Sequence, residues 1–407
     1  MRVLLVHNRY RSEGGEERHI DLLEEWLPKV GVQVSRLDVS SPRDPSFLER
    51  LRMGLTLTYR PAGAALLRSA LQRVKPDVVH FHNIFPLLTP AAMRAVHRHG
   101  TPVVLTVHNY RFACPAGTLV RNGRIHEDCV TGSSLLCGLR NSRGVLSESL
   151  AYGVAIELQR RLRMLCRWVD AYVAPSAFAA NMLARAGYPS NRIHTIQHGT
   201  PIDDEPSGVG DFALYVGRLS HEKGVETLIE ASRLAPHVPL VLAGEGPLAP
   251  LVHSLPLETA TYLGQLEPKK VAEVRRQARF TVAPSNCYEV QPFGVLESLA
   301  SGTPVVASGL GGMREIVIDG VTGLLIPPAD PTALAGAMAM MWSDNARVAE
   351  MGVAAANFAR EQFSPEKQAS HLSDLYERTR ARTRPLPRAS KWFKNGSPEP
   401  SNRQTAV

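Results

Sequence analysis

Short apolar runs alternate with longer stretches of helical periodicity through most of the chain, and Gly, Pro and polar residues separate them. An alternation of β-branched runs and amphipathic segments predicts βαβ units with parallel sheets. In the first half we predict strands at Val3–Val6, Gln33–Leu37, Asp77–Phe81, Val103–Val107, Ala171–Ala174 and Ile193–Gln197. The intervening segments predict helices at Glu16–Leu27, Gly63–Arg73, Pro90–His99, Ser147–Trp168 and Ala177–Ala186.

The alternation stops at residues 200–210, where Pro, Gly and acidic residues without periodicity indicate an interdomain linker. It then restarts, with strands expected at Ala213–Val216, Leu240–Ala243, Thr261–Leu263, Phe280–Ala283, Val305–Ala307 and Leu324–Ile326. We therefore predict an α/β fold of two Rossmann-like, doubly wound domains, residues 1–199 and 211–365. The carboxyl ends of both sheets should face a common cleft, where a ligand would bind.

The C-terminal part has a different pattern. An apolar stripe predicts a last helix at 366–384, and we expect this helix to cross back to the first domain. Residues 385–407 are rich in Pro, Ser and basic residues, and we predict that they form a disordered basic tail. Trp392 and Phe393 beside two lysines would alternatively suit a membrane interface.

The overall composition is that of a folded protein with a positive charge balance. Hydrophobic residues make up 44% and charged residues 21%, and the formal net charge is +8. A positive balance favours anionic partners such as nucleotides or phospholipid headgroups. Because no aromatic-interleaved basic motif or helix-turn-helix signal accompanies it, we expect no nucleic acid partner. Arginine-rich, solvated helix faces are the alternative explanation of the charge.

We expect a cytoplasmic location. Only four apolar residues, Val3–Val6, precede polar positions at the start of the sequence, and no run approaches the roughly 18 apolar residues of a membrane span. The five cysteines are expected to be reduced thiols. Any membrane contact would then be peripheral, at the inner face of the cell membrane.

The most informative segment runs from Glu289 to Glu297, where two glutamates flank a Pro-Phe-Gly turn. Pro292 is placed to open a helix in its first turn, so Glu289 lies on the loop and Glu297 inside the helix. A helix N-terminus attracts anions. Carboxylates on both sides of it suit a ligand whose phosphates are flanked by sugar hydroxyls. An exposed glutamate on an ordinary capped helix is the structural alternative.

Two glycine-containing loops follow strands of the second domain. Gly217-Arg218 and Lys223-Gly224 come directly after the first of these strands, where the two cations are suited to phosphate oxygens. The segment 244–247, Gly-Glu-Gly-Pro, follows the next strand. It lacks the third glycine of a dinucleotide-binding motif, so NAD binding is not indicated.

The first domain offers candidate residues at the same edge of its sheet. Residues 12–16, Ser-Glu-Gly-Gly-Glu, connect the first strand to the first helix and suit an anion or a sugar. His108 and Asn109 end the fourth strand, and we expect His108 to face the cleft, although a single histidine is more often structural.

These motifs together resemble the retaining glycosyltransferases of family 4 (glycosyl transferases group 1), which have the GT-B fold. The resemblance covers roughly residues 1–382, and Glu289…Glu297 is similar to the family's E-x7-E motif. Gly311-Gly312 and Asp319-Gly320 also follow the family's C-terminal pattern. The front half resembles a bacterial subgroup of polysaccharide biosynthesis.

The resemblance implies a role for each candidate residue. Arg218 and Lys223 would hold the donor diphosphate, and these two cations with the helix N-terminus would make a catalytic metal ion unnecessary. Glu297 would bind the ribose, Glu289 the donor sugar, and His108 the transferred sugar or the acceptor. The remaining donor-binding positions are Gly15, Gly217, Glu245, Gly246, Phe293 and Gly294.

The implied reaction moves a sugar from a nucleoside diphosphate sugar, most typically of UDP or GDP, to a glycan, lipid-linked or small-molecule acceptor. The residues Val290-Gln291-Pro292 are an unusual filling of the family motif, which leaves the donor sugar open. A sugar-nucleotide epimerase on the same fold is one alternative. A nonenzymatic nucleotide-sugar sensor is another, but it would not need to keep the phosphate-binding cations.

A second candidate site lies in the long connection after the fourth strand. Cys114, His126, Cys129 and Cys137 fall within one short segment, and a two-residue gap separates His126 from Cys129. Three thiolates and one imidazole would complete a tetrahedral structural zinc site. The spacing is loose, however, so four unrelated residues in a Gly-rich loop are the alternative.

Overall fold

The computed structural model describes residues 1–9, 14–40, 47–121, 123–203, 207–254 and 260–382. Ser12 and Glu13 of the front loop and the expected tail at 385–407, with Trp392 and Phe393, lie outside the described residues.

The first half of the chain forms a six-stranded parallel sheet with the order β2-β1-β3-β4-β7-β8. Its strands are β1 (Arg2–Arg9), β2 (Gln33–Ser40), β3 (Val78–Asn83), β4 (Val103–Thr106), β7 (Ala171–Ala174) and β8 (Ile193–Thr195), and β5 (Val120–Arg121) and β6 (Arg124–Ile125) form a separate hairpin. The helices are α1 (Gly15–Trp26), α2 (Phe47–Thr56), α3 (Pro61–Val74), α4 (Thr89–His99), α5 (Asp128–Thr131), α6 (Ser134–Leu139), α7 (Leu146–Arg161), α8 (Met164–Trp168) and α9 (Ala177–Arg185).

The second half repeats this architecture in a parallel sheet with the order β11-β10-β9-β12-β13-β14. Its strands are β9 (Ala213–Val216), β10 (Leu240–Ala243), β11 (Ala260–Tyr262), β12 (Phe280–Ala283), β13 (Val305–Ser308) and β14 (Gly323–Ile326). The helices are α10 (Val225–Leu234), α11 (Ala249–His253), α12 (Pro268–Arg276), α13 (Phe293–Ala300), α14 (Met313–Ile316), α15 (Pro331–Ser343), α16 (Asn345–Gln362) and α17 (Pro365–Arg382).

The central strands explain why the sequence folds in this way. Every residue of β3, β4, β7 and β13 is buried, as expected where helices cover both faces of a parallel sheet. The two sheets confirm the predicted α/β class and the pair of Rossmann-like units. In the described part of the chain, no helix is both long enough and apolar enough to cross a membrane.

The last helix, α17, packs against the first sheet although it follows the second one in sequence. Leu372 and Leu375 are buried in the same apolar cluster as Val3 and Leu5 of β1. The phenol of Tyr376, on the same helix, lies 2.7 Å from Nδ1 of His80 in β3. This helix therefore ties the segment after the second sheet to the core of the first half.

Two local predictions are wrong. The single helix expected at Ser147–Trp168 is two helices, α7 and α8, because Arg163 between them has a left-handed backbone with a φ of 49°. Apolar periodicity continues through the break because both helices bury residues, so the pattern alone could not reveal it. Pro292 is the N-cap of α13 and has extended backbone angles, so the helix begins one residue later, at Phe293.

Candidate active site

The carboxyl ends of the two sheets border a cleft of about 2080 Å³. All eleven residues that the sequence assigned to catalysis or donor binding line it. They are Gly15 and His108 from the first half, and Gly217, Arg218, Lys223, Glu245, Gly246, Glu289, Phe293, Gly294 and Glu297 from the second. The four candidate zinc ligands do not line this cleft.

Lys223 and Glu289 form an ion pair inside the cleft. Lys223 ends a 3-10 turn at His221–Lys223, and Gly224 follows with a left-handed φ of 72° that turns the chain into α10. The Nζ of Lys223 donates to Oε1 of Glu289 at 2.6 Å, and the hydroxyl of Ser285 donates to the same oxygen at 2.8 Å. Burial alone would lower the pKa of Lys223, but the Glu289 carboxylate raises it above its usual value, so the lysine is charged.

The other carboxylate oxygen of Glu289 is available for a ligand. Within the described residues, Oε2 accepts no hydrogen bond, because each contact of this carboxylate is to Oε1. The side chain is 12% exposed, on the cleft side. Glu289 can therefore accept a hydroxyl hydrogen bond while it stays paired with Lys223.

The N-terminus of α13 points into the same space. Val295 is the first residue whose backbone N–H bonds back to Pro292, and the described residues offer no acceptor to the N–H groups of Phe293 and Gly294. Gly15 of the first half approaches this point so closely that a Cβ there would lie 3.1 Å from the Phe293 ring. Two free donors and a helix dipole thus face the cleft where the halves meet.

Glu297, one turn into α13, is held by two arginines that belong to no recognised sequence motif. Nη2 of Arg275 donates to Oε2 of Glu297 at 2.6 Å, and Nε of Arg18 lies 3.6 Å from Oε1. Arg275 is almost fully buried on α12, whereas Arg18 comes from α1 of the first half. No spacing rule links these positions, because only the fold brings α1, α12 and α13 together.

The two glycine loops of the second half are joined by backbone hydrogen bonds. The N–H of Gly217 donates to the carbonyl of Ala243 at 3.0 Å, and the N–H of Leu219 donates to that of Glu245 at 2.9 Å. Gly246 follows Glu245 in the second of these loops. Arg218 lies between Gly217 and Leu219 in the first loop, and 65% of its side chain is exposed. The loops form one wall of the cleft, and Arg218 has the freedom to move onto an anion.

His108 belongs to a cluster of imidazoles at the floor of the cleft. Its Nε2 lies 3.1 Å from Nδ1 of His82, and its ring stacks on that of His198 with centroids 5.2 Å apart. The His19 ring packs against both His108 and His198. The pKa values of all four imidazoles lie well below the usual value. Burial is the main cause, and repulsion from neighbouring histidines lowers these pKa values further. A neutral His108 can exchange hydrogen bonds with a sugar but carries no charge for a phosphate.

Glu16, in the first turn of α1, is a further ionisable group of the cleft. Burial raises its pKa to about 7, although Arg111, His7 and the amide of Asn109 act in the opposite direction. Nδ2 of Asn109 donates to Oε1 of Glu16 at 3.0 Å. The sequence predicts an anion- or sugar-binding loop that contains Glu16, but it indicates no separate role for this residue. Its titration near neutrality follows from burial, which the sequence does not reveal.

The four candidate zinc ligands come together at one point outside the lining of the cleft. Cys114 follows the 3-10 turn at Tyr110–Phe112, His126 follows β6, Cys129 lies in α5 and Cys137 lies in α6. The ligand atoms of Cys114, His126 and Cys129 lie within 4.8 Å of one another. The Cys137 thiol lies against both Cys129 and His126.

Comparison with known proteins places both halves in one group of enzymes. A family model described as Glycosyltransferase Family 4 matches residues 13–204, and one described as Glycosyl transferases group 1 matches residues 211–344.

Two curated relatives match nearly the whole chain. The D-rhamnosyltransferase WbpZ of Pseudomonas aeruginosa is 30% identical, over 86% of this chain and 89% of the relative. The alpha-maltose-1-phosphate synthase of Mycolicibacterium smegmatis is 28% identical, over 94% of this chain and 100% of the relative. Among solved structures, Anabaena HepE in complex with UDP-glucose superposes with a TM-score of 0.65 over 92% of this chain and 99% of that chain, at 17% identity. The last likeness concerns the fold alone.

Proposed function

Because this chain belongs to glycosyltransferase family 4 and is a glycosyltransferase, as its motifs indicated, we propose that it uses a nucleoside diphosphate sugar as donor and retains the anomeric configuration. The observation that carries the proposal is the Lys223–Glu289 ion pair beside the N-terminus of α13. This arrangement offers positive charge to a diphosphate and a carboxylate oxygen to the adjacent sugar. Glu297, held by Arg275, supplies a second carboxylate on the nucleotide side.

The proposed reaction needs charge stabilisation more than a strong base. The bond between the anomeric carbon and the diphosphate oxygen breaks, the acceptor hydroxyl oxygen forms a new bond to that carbon, and its proton passes to the departing phosphate on the same face. Lys223, Arg218 and the two N–H groups of α13 would stabilise the charge of the leaving diphosphate, without a catalytic metal ion. Neutral His108 would orient the sugar.

The donor and acceptor are proposed only as classes. UDP or GDP sugars are the proposed donors, and the UDP-glucose complex of the structural neighbour HepE supports this class. The acceptor is proposed to be a hydroxyl of a glycan, a lipid-linked glycan or a small molecule. The names of the two relatives, a rhamnosyltransferase and a maltose-1-phosphate synthase, agree with this range.

A thermal-shift panel of UDP, GDP, ADP and TDP with their sugars tests the donor proposal. A ligand that binds only the folded chain stabilises it by about 2.7 kcal/mol at a hundredfold excess over its Kd. We expect one base to stabilise the chain, both as the free diphosphate and as the sugar conjugate. If none of the nucleotides shifts the melting temperature, the cleft is not a nucleotide site.

Turnover assays with the same nucleotide sugars test the two alternatives, an epimerase and a nonenzymatic sensor. An epimerase would convert the nucleotide sugar alone into an isomer, and a sensor would bind it without turnover. Both relatives carry names of enzymes that form glycosides or glycosyl phosphates, which favours neither alternative. Release of free nucleoside diphosphate only when an acceptor is present would exclude both.

We also propose peripheral contact with an anionic membrane through α6 and the start of α7, which pack against each other. Leu136, Leu139 and Leu146 expose 47%, 58% and 53% of their surface there, and the half-exposed Arg140, which pairs with Asp128 at 3.1 Å, directly follows Leu139. Apolar anchors with adjacent cations suit anionic headgroups. Full-length chain should sediment with phosphatidylglycerol vesicles but not with phosphatidylcholine vesicles, and Leu139→Asp should abolish this.

The matched control is Leu234→Asp, because Leu234 is 52% exposed on the second half of the chain. It should leave vesicle binding unchanged. Equal binding of both variants to both vesicles would contradict the proposed contact surface.

A further inference from the structure

We propose that Cys114, His126, Cys129 and Cys137 bind one structural zinc ion that fixes the segment between β4 and α7. The four side chains come from separate short elements of this segment, which the chain brings together at one point. The elements themselves are small, since each strand of the hairpin has two residues and α5 has four. A segment built from such short pieces has few hydrogen bonds of its own and needs a cross-link to hold one conformation.

The size of the cluster fits a tetrahedral ion. Sulfur and nitrogen ligands at about 2.3 and 2.0 Å from zinc are roughly 3.5 to 3.8 Å from each other. The ligand atoms of Cys114, His126 and Cys129 already lie within 4.8 Å of one another, and the Cys137 thiol lies beside Cys129 and His126. Small side-chain rotations would bring the first three ligand atoms to the spacing of a tetrahedral site, and the Cys137 sulfur would move in further to join them.

All four groups of the cluster are buried. The three thiols have no solvent exposure, and His126 is 9% exposed. Both ring nitrogens of His126 are buried, no nitrogen or oxygen of the described residues bonds to either of them, and the neighbouring group is the Cys137 thiol. A thiol is a weak hydrogen-bond partner for a buried imidazole. Coordination of a metal ion would give one ring nitrogen a stronger partner.

A disulfide would satisfy these groups less completely. The five cysteines are free thiols. Pairing any two of the clustered thiols would leave the third thiol and the imidazole outside the disulfide, whereas a zinc ion engages all four groups. Four protein ligands leave no open position for water, so the ion would be structural and not catalytic.

The site also has a connection to the donor side of the cleft. Glu127 stands between the ligands His126 and Cys129, and its Oε1 accepts a hydrogen bond from the phenol of Tyr288 at 2.8 Å. Tyr288 directly precedes Glu289. A metal that fixes Glu127 would therefore brace the loop carrying Glu289 from the opposite half of the chain.

Metal analysis of the full chain, purified without chelator or affinity tag from zinc-supplemented medium, tests the proposal. We expect about one zinc per chain, and X-ray absorption should show three sulfur ligands at about 2.3 Å and one nitrogen at about 2.0 Å. Cys129→Ser should lose the metal. His126→Cys should keep it with four sulfur ligands, and Cys166→Ser, whose thiol lies in α8 outside the cluster, is the matched control that should keep it.

A folded wild-type chain without zinc would overturn the proposal, and so would a mass two hydrogens lower with a disulfide among these cysteines. If Cys129→Ser does not fold, the number of sulfur and nitrogen ligands found by X-ray absorption of the wild-type chain decides.

Hydrogen exchange tests separately whether the metal braces the loop that carries Glu289. Removing zinc with a chelator should speed exchange in peptides covering Glu127 and in those covering Tyr288. Unchanged exchange around Tyr288 would overturn the brace.

Discussion

Replacing Glu289 with Gln separates the two functions that we assign to the cleft, which are binding of the nucleoside diphosphate and binding of the donor sugar. The substitution keeps the shape of the side chain and removes its charge, so the hydrogen bonds from Lys223 and Ser285 can persist in weaker form. A diphosphate that approaches Lys223 meets the negative charge of Glu289 in the wild-type chain but not in the variant. We therefore expect Glu289→Gln to bind the free nucleoside diphosphate more tightly than the wild type.

The size of this effect follows from the geometry of the pair. Because Glu289 lies 2.6 Å from Lys223, a phosphate on that lysine would come within about 6 Å of the carboxylate, where two unit charges repel by roughly 3 kcal/mol at an effective dielectric constant of about 20. Solvent and counterions in an open cleft reduce this to on the order of 1 kcal/mol. That energy corresponds to about a fivefold lower Kd for the nucleoside diphosphate.

The effect on sugar transfer should have the opposite sign. Loss of a hydrogen bond between a charged carboxylate and a sugar hydroxyl costs about 1.5 to 3 kcal/mol, so kcat/KM should fall by roughly tenfold to more than a hundredfold. Calorimetric titration with the nucleoside diphosphate and steady-state kinetics with the sugar donor measure the two effects separately.

Glu297→Gln is the matched control because Glu297 belongs to the same motif but lies inside α13, on the proposed nucleotide side. It should weaken free nucleoside diphosphate and sugar donor alike, by about tenfold. If Glu289→Gln also weakens the free nucleoside diphosphate, the two carboxylates do not divide sugar from nucleotide, and the reasoning is refuted.

Three further predictions concern the phosphate-binding cations, the close approach of Gly312 to the backbone of Val290 and the titration of Glu16. Arg218→Ala and Lys223→Ala should each lower kcat/KM by about a hundredfold or more, because both charges act on the departing diphosphate; near-normal kinetics in folded variants would contradict this. Gly312→Ala places a Cβ 2.0 Å from a neighbouring backbone carbonyl oxygen. It should lower the free energy of unfolding in urea by about 2 kcal/mol or more, whereas Gly336→Ala, with nothing within 4 Å, should not. Burial raises the pKa of Glu16 from 4.5 to about 7, so the folded chain holds this proton more tightly than the unfolded chain. The free energy of unfolding should therefore fall as pH rises from about 4.5 to 7, by at most about 3 kcal/mol, and Glu16→Gln should remove that part of the pH dependence.

The fold and the set of cleft residues could be predicted from the sequence because both depend on local pattern. Buried parallel strands are visible as apolar runs, and the loops at their carboxyl ends must share one edge of the sheet. Arg218, Lys223 and Glu289 could therefore be assigned to one cleft from the amino-acid sequence alone. Their placement in the cleft follows from topology, whereas their individual roles stay predictions.

The sequence could not reveal contacts that only the tertiary fold creates. Glu297 meets Arg18 and Arg275 because α1, α12 and α13 converge, although the three residues are far apart along the chain. The neutral state of His108 depends in the same way on burial against other histidines. The apolar pattern also did not indicate the helix break at Arg163, because one left-handed residue separates two helices there without changing the periodicity.

The stereochemistry of transfer tests the central claim most directly. NMR of the newly formed glycosidic linkage, after incubation of full-length chain with an α-linked nucleoside diphosphate sugar and an acceptor, reports the configuration at the anomeric carbon. We predict an α-linked product, because Lys223, Arg218 and the N-terminus of α13 stabilise a departing diphosphate that takes the acceptor proton on the same face. A β-linked product would contradict this mechanism and would require a general base on the opposite face of the sugar.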